Sequence, residues 1–115
     1  MKVKEKVLKR RFIEFLKRKF KDSFIYSPPN VPAVRTAGIP DLLCLIKGKF
    51  YAIEFKVYPN RPTRLQLKTL RDIHRAGGEA LVITLKKDGE IRIERVYGDS
   101  LFEYYPAIFE DFCER

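Results

Sequence analysis

The chain has 115 residues, with 24 Lys and Arg against 15 Asp and Glu, which gives a formal net charge of +9. At this length, and with 45% hydrophobic residues, we expect one domain over residues 1–115 and not a disordered chain. No apolar run approaches the ~20 residues of a membrane helix, and the two cysteines lack metal-ligand spacing. We therefore expect an intracellular, cytoplasmic protein without a membrane partner, and the 34% share of charged residues favours a thermophile or its virus as the source.

Residues 3–20 are predicted to form an amphipathic helix, because their apolar side chains recur at helical spacing on one stripe. The stripe consists of Leu8, Phe12, Phe15, Leu16 and Phe20. Most basic residues lie on the opposite side, and residues 1–21 hold ten Lys and Arg against two Glu, a net charge of +8. This face indicates either a polyanion partner, such as nucleic acid or an anionic membrane surface, or a solvated helix face.

The first half of the chain also predicts three strands. Residues 23–27 form a short candidate strand, and prolines keep the following segment extended up to Pro40. Two β-like runs, 41–47 and 49–57, flank a tight turn at Gly48.

The second half predicts a helix, two strands and a short final helix, over residues 63–76, 80–85, 90–96 and 106–113. Thr63 is the predicted N-cap of the longer helix, and Gly77-Gly78 is its predicted stop. The order α-β-β-β-α-β-β-α predicts an α/β fold with a mixed central β-sheet flanked by helices.

Three ionisable residues, Asp41, Glu54 and Lys56, stand within the two apolar runs of the predicted hairpin. If Gly48-Lys49 is a two-residue type II′ loop, Asp41 lies opposite Lys56 and diagonal to Glu54, all on one face. The prediction depends on the loop, because a one-residue shift there is expected to break this arrangement. The other face carries the apolar side chains of both runs.

Two carboxylates beside a lysine suit metal-assisted phosphodiester hydrolysis. Hard oxygen ligands select Mg²⁺, and Mn²⁺ is expected to substitute for it. The lysine ammonium can orient a water or neutralise charge that develops on phosphorus oxygens. The alternative is a cross-strand surface salt bridge between Asp41 and Lys56 without chemistry.

Four motifs follow one another at a defined spacing: Glu5 in the first helix, Arg35-Thr36-Ala37-Gly38-Ile39-Pro40-Asp41, Glu54-Phe55-Lys56, and Gln66 ahead of Gly77-Gly78. Together they resemble the PD-(D/E)XK nuclease superfamily, most closely its VRR-Nuc branch, over about residues 3–84. The archaeal Holliday-junction resolvases share the same core plan. The resemblance implies a restriction-endonuclease-like core in which Asp41, Glu54 and the Phe55 carbonyl bind the metal and Lys56 is the catalytic lysine.

Helix geometry selects Glu5 and not Glu14 as the inward carboxylate, because only Glu5 falls inside the apolar sector of the first helix. An inward carboxylate needs a partner, which a metal site or Lys56 would supply, so we assign Glu5 to the site and place it among the expected metal ligands; the alternative is a frayed first turn with Glu5 in solvent. Gln66 has two interpretations. It completes a capping box with Thr63, or it serves the active site as the family resemblance implies.

For DNA contacts the sequence favours four residues around the predicted site, followed by two on the first helix: Arg35, Arg61, Arg64 and Lys68, then Lys9 and Arg10. The aromatic stretch 101–109 is expected either to close the core or to form a homodimer interface. The leading hypothesis is a Mg²⁺-dependent endodeoxyribonuclease that acts on branched DNA such as Holliday junctions or flaps. The alternative is a non-catalytic or restriction-type DNA-binding module with the same fold.

Overall fold

A computed structural model describes residues 3–29 and 38–113, with the backbone alone at Val3. The elements in chain order are α1 (Val3–Lys19), β1 (Ser23–Tyr26), β2 (Leu42–Ile46), β3 (Lys49–Val57), α2 (Arg64–Arg75), β4 (Glu79–Leu85), β5 (Ile91–Tyr97), β6 (Ser100–Glu103), a 3-10 turn (Ala107–Phe109) and α3 (Glu110–Cys113). Within these two ranges no helix is long and apolar enough to cross a membrane.

The six strands form one mixed sheet in the order β1-β2-β3-β4-β5-β6. Only β3 and β4 run parallel, because α2 connects them as a crossover, and the other neighbours are antiparallel. The sheet therefore has helices on both faces, which confirms the predicted α/β class. Asp41, Glu54 and Lys56 come at the end of the sheet where β2 begins and β3 finishes.

The larger core lies on the face of the sheet that α1 and the C-terminal segment cover. Phe12 of α1 is fully buried at its centre, with ring centroids of Phe55, Phe109 and Phe112 at 5.7, 5.2 and 5.0 Å. These edge-to-face contacts fix α1 against β3. Of the predicted aromatic stretch 101–109, Phe109 thus helps to close the core, whereas Phe102, Tyr104 and Tyr105 are exposed.

The β2–β3 hairpin differs from the prediction by one residue in its loop. The loop is Lys47-Gly48, with positive φ at both residues (51° and 78°), which is a type I′ and not a type II′ turn. Ile46 therefore pairs with Lys49, and the pairing moves by two residues relative to the prediction. Since a shift of two preserves the side-chain alternation, Asp41, Glu54 and Lys56 stay on one face, but the predicted pairing of Asp41 with Lys56 is lost.

Strand β6 was not predicted. It pairs with β5 through a two-residue loop, Gly98-Asp99, in which Gly98 has a φ of 61°. A glycine at the first central position of such a loop is the signal that sequence reasoning missed. Residues 101–105 were instead interpreted only as an aromatic stretch.

Candidate active site

Asp41 and Glu54 come together through the hairpin register. Leu42 pairs with Ile53, so the next position places Asp41 directly opposite Glu54 and not opposite Lys56 as predicted. Asp41 Oδ2 accepts a hydrogen bond of 2.9 Å from the Phe55 backbone N–H, which orients its carboxylate across the strand. Like charges directly opposite one another destabilise a sheet, so this pair needs a compensating charge or a proton.

Glu54 is the most unusual ionisable group of this pair, with only 1% of its surface exposed. Burial, followed by the hydrogen bond to Asp41 and the charge of Asp41, raises its pKa to about 9, while Lys56 acts in the opposite direction. Its Oε2 atom accepts no hydrogen bond from a donor among residues 3–29 and 38–113, and the hydrogen bond to Asp41 requires a proton on one of the two carboxyl groups. A buried carboxylate with a free oxygen beside a second carboxylate is an arrangement that a cation stabilises.

Glu5 lies in the first turn of α1 with 9% exposure, and Glu14 is exposed, so the predicted orientation of this helix is correct. The charge of Glu5 contributes to the raised pKa of Glu54. However, the part of the chain that the structure describes contains no group of three or more His, Cys, Asp or Glu side chains that could hold a metal ion. Glu5 therefore remains a predicted ligand and not an observed member of a cluster.

Gln66 makes both of the contacts that were predicted as alternatives. Its Oε1 accepts from the Thr63 backbone N–H at 2.9 Å, and Thr63 Oγ1 accepts from the Gln66 N–H, which completes the capping box. Its Nε2 donates to Glu54 Oε1 at 3.3 Å. One glutamine makes both contacts because the two ends of the amide act separately.

Lys56 follows Glu54 by two positions on β3, so both side chains project from the same face. It is partly exposed, it pairs with Thr84 in the parallel ladder, and its charge lowers the pKa of Glu54. The lysine is therefore close enough to Glu54 to act on it electrostatically, while the residue is only partly buried.

Gly38 positions the segment that leads to Asp41. It has a φ of 87°, and a Cβ atom there would lie 2.7 Å from Leu65 Cγ and 3.2 Å from Thr69 Oγ1 on α2. The chain therefore needs glycine to pass this close to α2 before it turns into β2. This requirement explains the glycine of the Gly38-Ile39-Pro40-Asp41 motif physically.

The donor set fits a hard divalent cation in part. Asp41 and Glu54 supply carboxylate oxygens, and the unpartnered Glu54 Oε2 has a vacant acceptor site. Such oxygen donors are the ones that Mg²⁺ and Mn²⁺ prefer. The Phe55 N–H is used by Asp41, and the Phe55 carbonyl stays a predicted ligand.

The predicted DNA-binding residues are scattered around this site. Arg61 makes a bidentate ion pair with Glu94, at 2.7 and 3.0 Å, and Lys68 pairs with Asp72 at 3.0 Å. Arg64 is exposed in the first turn of α2, whereas Lys9 and Arg10 are on α1, which packs on the larger core. Arg35 lies outside the described residues. DNA contact by all six stays a prediction.

Sequence reasoning missed Glu94 and Arg92 on β5. Arg92 Nε lies 3.6 Å from Glu94 Oε1, which Arg61 also contacts. Both alternate along the strand with the apolar residues Ile91 and Ile93. That alternation was the available signal for a polar row on the sheet face that carries Glu54.

Neither a protein-family model nor a curated protein matches this sequence. Among solved structures, the chain is similar to Hjc, a Holliday junction resolvase from the archaeal hyperthermophile Archaeoglobus fulgidus, with a TM-score of 0.57 and 15% identity. The similarity covers 89% of this chain and 88% of that chain. The described architecture, including the mixed sheet and its flanking helices, is therefore a fold that this chain shares with an archaeal resolvase.

Proposed function

We propose that residues 1–115 act as one metal-dependent endodeoxyribonuclease domain of the PD-(D/E)XK type, selective for branched DNA. The observation that carries this proposal is the buried Glu54, opposite Asp41 and two positions before Lys56 on the same strand face, with an oxygen that accepts no hydrogen bond from a described residue. The shared fold with Hjc supports the same reaction class. A merely structural salt bridge would not need two opposed carboxylates at this position.

Each residue of the site has a role that follows from its contacts. Asp41 and Glu54 would hold Mg²⁺ or Mn²⁺, together with the Phe55 carbonyl and, from α1, Glu5. Gln66 orients the Glu54 carboxylate through Nε2, and the Phe55 N–H orients Asp41. The Lys56 ammonium neutralises charge on the phosphoryl oxygens or orients the attacking water. When bound, the metal ion polarises a phosphodiester oxygen and lowers the pKa of a bound water.

The substrate class is tested by one panel of labelled DNAs: a four-way junction, a flap, a fork, linear duplex and single strand. In Mg²⁺ we expect cutting concentrated at the branch point of the junction or flap, because the chain shows no base-reading motif and recognises shape and backbone. EDTA should stop the reaction. Uniform nicking of linear duplex would contradict branch selectivity, and binding without cutting of any substrate would indicate a non-catalytic module.

A homodimer is the second part of the proposal, and an exposed apolar strip supports it. Phe24, Leu45 and Phe50 are direct partners across β1, β2 and β3 and are 66, 46 and 40% exposed; Tyr26 adds a ring at 46%. The exposed apolar area is about 400 Å², near that of the largest patch on a typical monomer and about half of one side of a standard interface.

The charges around the strip favour a second copy of the chain and not DNA. Lys47 Nζ lies 5.7 Å from the Phe20 ring and Lys49 Nζ lies 3.2 Å from Glu79. Both lysines beside the hairpin loop therefore point to the face of the sheet opposite the strip. Strand β1, which carries Phe24 and Tyr26 of the strip, is also an edge of the sheet. Its outer edge can pair with a symmetry-related copy. This surface differs from the C-terminal stretch, for which the sequence left a homodimer interface as one of two expected roles.

The strip predicts the effect of Leu45→Glu on oligomeric state. A buried glutamate in an apolar interface lacks a partner, so the variant should sediment as a monomer where the wild type sediments as a dimer. Sedimentation velocity across a concentration series measures this, and circular dichroism checks that the fold is kept. Phe102→Glu is the matched control, because Phe102 is similarly exposed (55%) but lies on the far edge strand. A monomeric wild type, or dissociation by the control alone, would refute this interface.

A further inference from the structure

The ion pair between Arg61 and Glu94 connects the loop between β3 and α2 to the sheet. Arg61 follows β3 by four residues, and its guanidinium donates to both carboxylate oxygens of Glu94. Glu94 is 8% exposed on β5, and the register places it in the same row as Glu54, two strands away. A bidentate pair with a buried carboxylate has a fixed geometry, unlike an exposed single contact.

The contact to Glu54 comes from Gln66, just beyond the end of this loop that leads into α2. The loop begins with hydrogen bonds from the Tyr58 N–H to the Leu85 carbonyl and from the Asn60 N–H to the Val57 carbonyl, both 2.9 Å, and Arg61 then adds a side-chain contact to β5. Two residues later Thr63 caps α2 and donates its backbone N–H to Gln66 Oε1, which leaves Gln66 Nε2 3.3 Å from Glu54 Oε1. The position of that amide therefore depends on where the Arg61–Glu94 pair holds the start of α2.

We propose that Arg61 and Glu94 form a positioning pair that holds Gln66 against Glu54, and that Arg61 is not a phosphate contact. This inference rests on the proposed nuclease function and assigns a role to Glu94, which no motif of the sequence indicated. The carboxylate of Glu94 accepts one N–H from each terminal nitrogen of Arg61, so a phosphate that bound this edge of the guanidinium would have to displace a buried partner.

The two roles of Arg61 predict opposite effects of Glu94→Gln. If Arg61 positions Gln66, then Arg61→Ala and Glu94→Gln both lower kcat, by about 10- to 100-fold, with KM unchanged. The charge-exchanged double variant R61E/E94R should recover part of the lost kcat. If Arg61 instead binds a phosphate, Arg61→Ala raises KM, whereas Glu94→Gln frees the guanidinium and tightens DNA binding. That second pattern would overturn the proposal.

A matched control separates positioning from general loss of stability. Arg95 makes a comparable ion pair with the buried Glu79, with Nε and Oε1 at 2.6 Å, on the opposite face of the sheet. Arg95→Ala should lower the thermal midpoint as Arg61→Ala does, but it should leave kcat near the wild-type value. Equal losses of kcat in both variants would show that the Arg61–Glu94 pair contributes only to stability and does not position Gln66.

A second readout does not depend on catalysis. Hydrogen exchange of the Thr63 amide reports the contact with Gln66 Oε1 in the metal-free protein. Arg61→Ala and Glu94→Gln should accelerate this exchange, while Arg95→Ala should not. If exchange responds in this way but the wild type cuts no DNA, the positioning pair stands and the nuclease proposal fails. Unchanged exchange in both variants would refute the pair even in an active enzyme.

Discussion

Replacement of Lys56 by alanine should reduce cleavage of a four-way junction by about 10²- to 10⁴-fold without loss of junction binding. The ammonium stands on the same strand face as Glu54, close enough to lower the pKa of that carboxyl group. It contributes where charge develops during phosphodiester cleavage, whereas DNA affinity is distributed over many phosphate contacts. Single-turnover cleavage and equilibrium binding in Ca²⁺ measure the two quantities separately.

Lys56→Arg provides the control for charge alone. Arginine keeps the positive charge, but its planar guanidinium has a different shape and cannot give up a proton near neutral pH. Partial activity in Lys56→Arg would assign electrostatic stabilisation to the residue, and a dead variant would assign a proton-transfer or water-orienting role. Wild-type cleavage by Lys56→Ala would remove the lysine from the site altogether.

Replacement of Glu54 by glutamine should stabilise the metal-free protein and abolish cleavage. An ordinary glutamate carboxyl group has a pKa of 4.5, and burial with Asp41 nearby raises the pKa of Glu54 to about 9 in the folded chain. Between these two pH values unfolding releases a proton, so the stability of the wild type falls as pH rises and the loss is complete above pH 9. Glutamine has no proton to release, and at about pH 8 we expect its thermal midpoint to exceed that of the wild type by at least about 5 °C.

Glu79→Gln is the control for this stability effect. Glu79 is similarly buried, at 4% exposure, but it is paired with Lys49 and Arg95. Loss of its charge should therefore destabilise the fold, opposite in sign to Glu54→Gln. Thermal unfolding in EDTA from about pH 5 to about pH 9 measures both variants. A wild type with no pH-dependent loss relative to Glu54→Gln would contradict the raised pKa.

The predictable parts of this molecule are those that local patterns determine. The apolar stripe of α1 and the start of α2 at Thr63 follow from short-range periodicity and capping, and both occur as expected. The Gly77 N–H bonds the His74 carbonyl and the Gly78 N–H bonds the Ile73 carbonyl, so the predicted stop is a Schellman motif. The shared face of Glu54 and Lys56 needed only the two-residue alternation of a strand.

The parts that sequence could not determine depend on pairing between distant segments. The choice between a type I′ and a type II′ loop decides whether Asp41 meets Glu54 or Lys56, and Gly48 permits both. The ion pair of Arg61 could not be predicted, because its partner Glu94 is 33 residues away in the sequence and comes close only once β5 joins the sheet. The two roles of Gln66 were treated as alternatives. A pattern of residue types does not show that the oxygen and the nitrogen of one amide contact different groups.

The central claim is that Asp41 and Glu54 form the metal-dependent centre that cuts DNA. The most direct test compares wild type and Asp41→Asn on a labelled four-way junction, in Mg²⁺ and in EDTA. Asparagine keeps the size of the side chain and an acceptor for the Phe55 N–H, so folding and junction binding should persist. We predict symmetric, Mg²⁺-dependent cuts by the wild type and none by the variant. Cleavage by Asp41→Asn at the wild-type rate in Mg²⁺ would contradict the account.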